Sequence, residues 1–363
     1  MNRAALDRIA TAVLYEGYLL YPYRASAVKN RQRFNFGTLY PAAWAAAQNE
    51  RTSMQTEVLV RGNEPRVEGA VRFLHLVEKP SPAGPWHQAR EREVPIPESG
   101  VARLSFPPTE EGQQHAGGNI EVLSTRVGDD LHRFTVRVRN DGELDPGATR
   151  DEALLHALVS AHTLLGAASG EFVSLLDPPE DAASAAARCQ NVGTWPVLVG
   201  EPGRRDTMLS SPIILYDYPA VAPESPGDLF DAAEIDEILS LRIITMTDAE
   251  KREARETDPR ARALLDRTEG LSQADLIRLH GTLRDPHGRG ELRPGAHVRI
   301  KPRTGGDVFD LALAGKAATV AAVERDDEGR LLFAVTVDDD PGRDLGVFGH
   351  RFFFRADEVE PLP

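Results

Sequence analysis

MQTEVLVRG (residues 54–62), VEGAVRFLHLVEK (67–79), NIEVLSTRVGDD (119–130) and HRFTVRVRND (132–141) alternate apolar with polar residues. In an extended chain successive side chains point to opposite faces, so this period of two predicts half-buried strands joined as hairpins in a sheet or sandwich. The proline-rich stretches between them, KPSPAGPWH (79–87) and FPPTEEG (106–112), are expected as surface loops.

Downstream the pattern changes. DEALLHALVSAHTLLGAA (151–168) carries Leu154, Leu155, Leu158, Leu164 and Leu165 at helical intervals and predicts a helix packed on the sheet. SGEFVSLLDPP (169–179), NVGTWPVLVGEPG (191–203) and SSPIILYDYP (210–219) are short apolar runs closed by Gly or Pro, and predict two or three more strands. Upstream, Ile9, Ala12 and Val13 give Asp7 to Leu20 an amphipathic helical face.

Between Gly227 and Arg284, three pairs have an oxygen-bearing residue three positions before an acid: Asp231 with Glu234, Thr247 with Glu250, and Ser272 with Asp275. Such pairs predict three helix starts. The mostly charged run DAEKREARETDPRARALLDR (248–267) is interrupted by Pro259 and is expected as an exposed or bridging helix. Beyond Pro294, HVRIKPR, KAATVAAVERDDEGR, LLFAVTVDDDPGRD, GHRFFF and DEVEPL predict five short strands in a small SH3-like barrel. The expected fold class is therefore α+β. An N-terminal domain on an antiparallel sheet or sandwich with packed helices (1–225) precedes a helical middle segment (226–290) and an SH3-like β-barrel (291–363).

Composition narrows the function. The 363 residues, 41% hydrophobic and 27% charged, fall in the ordinary globular range. A net charge of -14 argues against wholesale nucleic-acid binding, which needs a dense basic surface. The single cysteine, Cys189, excludes an internal disulfide framework and a multi-cysteine metal site, and fits a reducing cytoplasm. Asp7, Arg8 and Glu16 interrupt the first apolar run, which therefore reads as neither an export signal nor a membrane span.

The sequence carries no phosphate loop, dinucleotide fingerprint or Gly-x-Ser-x-Gly elbow; Gly315 and Lys316 stand without the residues a phosphate loop requires. Cys189 in AARCQNVG lacks a nucleophile signature, and His156 and His162, six residues apart on the expected helix, would fall on different faces. No catalytic residue and no cofactor is predicted. The densest carboxylate run is Asp338, Asp339 and Asp340, followed by Asp344. It suits a solvated turn, and Asp338 and Asp340 are also weak candidates for a divalent metal.

Two stretches stand out as possible contact surfaces. Tyr15, Glu16, Tyr18, Tyr21, Tyr23, Arg24, Lys29, Asn30 and Arg31 lie in a run of mixed aromatics and bases, a composition shared by core tethers, protein interfaces and single-stranded RNA sites. Near the C-terminus His350 and Arg351 adjoin three phenylalanines. On a strand Phe353 points opposite to Phe352 and Phe354, and needs cover from a neighbouring domain or a partner.

LYEGYLLYPYRASAVKNRQRFNFGTLYP (14–41), GDLFDAAEIDEILSLRIITMTDAEK (227–251), DLALAGKAATVAAVERDD (310–327), VTVDDDPGRDLG (335–346) and GHRFFFRADEVEPL (349–362) together resemble an uncharacterised bacterial family. That family is encoded beside uptake nickel-iron hydrogenases of the actinobacterial, high-affinity type. The resemblance implies a non-catalytic accessory role in hydrogenase maturation or assembly, with a hydrogenase subunit or another maturation protein as partner. It brings no catalytic residues. The residues named above from Tyr15 to Arg31, with His350, Arg351 and Phe353, are the expected partner contacts. The alternatives are a permanent structural subunit, or a divalent-metal enzyme or carrier using Asp338, Asp340, Asp344 and His350.

Overall fold

One strand organises most of the protein. β1 (Ser53–Ser81) runs for 29 residues and pairs antiparallel with three different neighbours along its length. This architecture comes from a computed structural model that describes residues 2–20, 23–27, 30, 33–81, 84–220, 242–270, 294–301, 313–325, 331–338, 352–355 and 358–362. The chain divides into two units, Met1–Gly270 and Leu271–Pro363.

In the first unit α1 (Arg3–Leu14) and α2 (Ala42–Gln48) precede β1, followed by β2 (Gly84–Pro95), β3 (Gly100–Phe106), β4 (Ala116–Arg126) and β5 (Leu131–Arg139). Then come α3 (Arg150–Leu155), β6 (Val159–Val173), α4 (Glu180–Ala186), β7 (Trp195–Leu198), β8 (Thr207–Ser211), α5 (Asp248–Thr257) and α6 (Pro259–Glu269). The eight strands form one antiparallel sheet in the order β3-β4-β5-β1-β6-β8-β7, with β2 added to β1. Residues 53–61 of β1 pair with β5, residues 59–74 with β6 and residues 70–81 with β2.

Where β1 changes partners, its register against β6 shifts between Arg61 and Arg66. Gly170 faces this irregularity at φ +91, where a Cβ would stand 2.5 Å from the Arg61 carbonyl oxygen, so glycine is required. The sheet then curls until Phe106 of β3 meets Phe73 in the far half of β1, ring edge to face at 5.4 Å. Val58, Val71, Ile120, Val136, Phe172 and Met208 fill the interior. The β7 edge is guarded. Pro196 has no N–H to offer, the Leu198 N–H donates to Asp217 Oδ1 at 2.8 Å, and the Leu198 carbonyl accepts from Tyr218.

A second cluster joins the N-terminal stretch to α5 and α6: Tyr15, Tyr18, Trp86, Leu154, Ile243 and Leu264 are all buried in it. The second unit holds β9 (His297–Ile300), β10 (Ala317–Arg325), β11 (Leu331–Val337), β12 (Phe352–Arg355) and β13 (Val359–Pro361). They form a five-stranded antiparallel sheet in the order β12-β11-β10-β9-β13 around Val298, Val320, Val335 and Phe354.

This architecture corrects the expected α+β class. The protein is mostly β, 43% strand against 22% helix, and is built on two antiparallel sheets. Among the described residues of 226–290 no separate helical segment stands: α5 and α6 belong to the first unit, and Ala254, Ala261, Leu264 and Leu265 are buried there. In the second unit the described strands pair in chain order from β9 to β12, and β13 returns to pair with β9. The Thr247–Glu250 pair is a capping box that starts α5, whereas the pairs at Asp231 and Ser272 lie outside the described residues.

The helix expected over 151–168 stops at Leu155, and Val159–Val173 is strand β6. β6 lies between β1 and β8, and residues 159–166 are buried without a break. A strand covered on both faces shows a continuous apolar run instead of alternation, and such a run mimics helical spacing. The KPSPAGPWH stretch, expected as a loop, contains the ends of β1 and β2, which pair as far as Ser81 and Gly84.

Candidate functional site

The turn between α5 and α6 sets the geometry beside a polar cavity. Proline at N1 cannot continue α5 but starts α6 well, because the missing N–H is one that the helix leaves unbonded in any case. Asp258 therefore caps α6, its Oδ1 accepting from the Arg260 backbone N–H at 2.8 Å. Its other oxygen is buried and accepts from the Tyr18 hydroxyl at 2.7 Å and the Trp86 indole N–H at 3.3 Å. A carboxylate thus satisfies one local donor and two from distant parts of the chain.

Arg33 lies close by. Its guanidinium stacks 3.3 Å from the centre of the Trp86 ring and 4.6 Å from that of Phe34, and donates to the Tyr18 carbonyl at 3.0 Å and the His87 carbonyl at 2.9 Å. Burial pushes Arg33 down to about 10, against the pull of Tyr18 and Asp258. Desolvation, followed by the charge of Arg33, holds His87 down at about 4, so its imidazole is neutral near pH 7. Phe34 is held at φ +62, a strained conformation for a bulky residue.

These groups line a cavity of about 410 Å³ with Arg150. Arg150 is placed there by α3, whose start is fixed by the Thr149–Glu152 capping box, and it donates to the Arg33 carbonyl at 2.8 Å. Asn30, Phe34, Pro85 and Leu154 contribute other walls, and Glu78 and Asp151 are exposed carboxylates on the lining. The cavity offers cationic donors beside apolar surface, an arrangement suited to holding an anion.

The expected contact residues are distributed unevenly. Tyr15, Tyr18 and Tyr23 are buried in the first unit's own core. The Tyr15 hydroxyl donates to Glu91 at 2.7 Å, and Arg260 stacks on its ring and bonds its oxygen. Burial raises the hydroxyls of Tyr15 and Tyr18 well above the usual phenol range. Glu16 is half-buried. Arg24 pairs with Glu250 at 3.0 Å on α5, and the side chain of buried Asn30 ties the Leu20 backbone and the Arg24 carbonyl together. Tyr21, Lys29, Arg31, Asp339, Asp340, Asp344, His350 and Arg351 lie outside the described residues.

Phe353 is 51% exposed on β12. Asp338 accepts from the Thr319 hydroxyl at 2.7 Å and lies 3.6 Å from His297 Nδ1. Among the described residues, no three His, Cys, Asp or Glu side chains are grouped to hold a metal ion. Cys189 is half-buried, and desolvation raises its thiol to about 11, which disfavours a nucleophilic thiolate. His156 and His162 do not share a helix: His156 follows α3 and His162 lies inside β6. Among the described residues, no helix is long and apolar enough to cross a membrane.

Sequence reading alone gave Arg33 no role and did not single out Trp86, His87 or Arg150. The available signal was the position of Arg33 between aromatics, together with the Thr149–Glu152 spacing that places Arg150 at a helix start. Comparison with known proteins finds no matching family model and no curated protein of matching sequence.

Proposed function

We propose that this chain is a non-catalytic accessory protein that binds a nickel-iron hydrogenase subunit, or another maturation protein, during maturation or assembly in the cytoplasm. The reading rests on the resemblance of five sequence strings to a family encoded beside such hydrogenases. One structural observation supports treating these strings as parts of a single device. The first string (14–41) and the second (227–251) are physical partners, because Arg24 pairs with Glu250 at 3.0 Å. A neighbouring contact, from the Ser26 backbone N–H to Glu253 at 3.1 Å, continues the same seam.

Buried Tyr15, Tyr18 and Tyr23 build the scaffold in this reading, and exposed side chains meet the partner. Among the described candidates, Phe353 offers the largest exposed apolar surface, of the kind that anchors interfaces. The test is affinity purification of the tagged chain from its host under hydrogenase-inducing conditions, with mass spectrometry of the eluate. Hydrogenase subunits in immature form are expected, and fewer of them with Phe353→Ser. An eluate without hydrogenase subunits or maturation proteins overturns the proposal, and mature enzyme in fixed ratio would make the chain a structural subunit.

A further inference from the structure

In a chain with 56 acidic and 42 basic residues, arginines of the first unit commonly find a carboxylate. Arg72 pairs with Asp7 and Glu93, Arg90 with Glu110, and Arg260 with Glu91. Arg33 and Arg150 do not follow this pattern. They bond backbone carbonyls, the Asn35 amide oxygen and, for Arg150, the Tyr40 hydroxyl, and no carboxylate among the described residues forms an ion pair with either. Both line the same cavity of about 410 Å³.

A guanidinium withdrawn from water without an adjacent anion is costly, and its planar fork matches a carboxylate or phosphate. Asp258 offsets the charge of Arg33 through the intervening Tyr18 hydroxyl and Trp86, and exposed Asp151 adds a smaller share from the cavity wall. Asp258 does nothing for Arg150. The exposed acids Glu78 and Asp151 also belong to the cavity wall and repel a dianion more than a monoanion. Phe34, Pro85 and Leu154 add apolar wall that inorganic phosphate could not use.

We propose that this cavity binds a small organic monocarboxylate, its carboxylate held by Arg33 and Arg150 and its apolar body lying against Phe34, Pro85 and Leu154. His87, neutral and buried, adds a polar wall without competing charge. The strained φ at Phe34 keeps the Arg33 backbone turned so that its carbonyl bonds Arg150, coupling the two cations. This inference is independent of the hydrogenase reading, since it uses only the cavity and its charges.

The test is isothermal titration calorimetry of the full chain at pH 7.5 and low salt with benzoate, hexanoate, the neutral isostere benzamide, and inorganic phosphate. Saturable one-site binding of at least one carboxylate and none of benzamide is expected. Arg150→Gln should weaken that binding about tenfold or more, the scale of one lost charged hydrogen bond. Asp151→Asn, at an exposed site, should tighten it by roughly threefold by removing repulsion. It keeps the question answerable should Arg150→Gln fail to fold. Failure of both carboxylates to bind, tighter binding of phosphate, or unchanged affinity in either folded variant overturns the proposal.

Discussion

Arg33 and Arg72 are buried to almost the same degree, 5% and 6% exposed, and the protein treats them in opposite ways. Arg72 on β1 meets carboxylates directly, with Nη2 2.5 Å from Asp7 and 2.6 Å from Glu93, and Arg3 bridges the same two acids from α1. Arg33 is covered by ring faces and carbonyl dipoles, with its nearest buried anion on the other side of a tyrosine and an indole. Each also has a buried histidine for a neighbour: His162 opposite Arg72 in the β1–β6 register, and His87 bonded to Arg33 through its carbonyl. Burial alone therefore does not set how a cation is neutralised. The Arg72 arrangement is complete within the fold, whereas the Arg33 arrangement leaves capacity for an anion.

Asp258→Ala should show the largest effect and separate the two regions most clearly. It strips the acceptor from Tyr18 and Trp86, uncaps α6 and removes the distant counter-charge of Arg33 together. A loss of about 3–5 kcal/mol is expected in urea unfolding. A loss below about 1 kcal/mol would show that Arg33 and its surroundings do not depend on that anion.

Acid should weaken both regions alike. His162 is fully buried, and desolvation first, then the charge of Arg72, holds it at about 4; His87 is also held at about 4. Both folded values lie below the ordinary value, so the unfolded chain binds more protons between about pH 6.5 and 4. Stability is then fully present above that window and is lost as pH falls through it. Each histidine accounts for about 2 kcal/mol between pH 7.5 and pH 5. His162→Gln should flatten the pH dependence by about that amount, and an unchanged slope would mean that His162 takes up its proton alike in the folded and unfolded chain.

The arginines themselves give smaller effects. Arg72→Met leaves the partly solvated Asp7 and Glu93 with Arg3 as their shared cation, and should cost about 2 kcal/mol. Arg33→Met removes a cation without an adjacent carboxylate and keeps an apolar stem against Trp86, so it should cost about 1 kcal/mol or less. If Arg33→Met proves the more damaging, the stacking and the carbonyl bonds form a finished structural joint, and the contrast disappears. Phe353→Ser, on the surface of the second unit, should change stability by less than about 0.5 kcal/mol.

The runs at 54–62, 67–79, 119–130 and 132–141 were readable because charged residues such as Glu57, Arg61, Glu68, Arg72, Glu121, Arg133 and Arg137 break up the apolar ones at short intervals. β6 was not, since a strand buried on both sides loses the alternation that distinguishes it from a helix. The cap at Thr247 and the break at Pro259 were visible because they are local chemistry. Asp258 looked like part of an exposed helix, because its partners Tyr18 and Trp86 are brought to it only by tertiary structure. The cavity was illegible for the same reason: Arg33, the adjacent Trp86 and His87, and Arg150 come from three separate segments, and no spacing rule links them.

The Tyr18–Asp258 bond joins residues 240 positions apart. A ribosome adding roughly 5–20 residues per second needs on the order of 10–50 s to travel from one to the other. Throughout that interval the N-terminal rings, joined by Trp86 after about the first quarter of it, have been made while α6, which covers them, has not. The nascent chain thus carries an aromatic surface that the finished chain hides, and truncation before Pro259 would leave that surface permanently open to aggregation or chaperone capture.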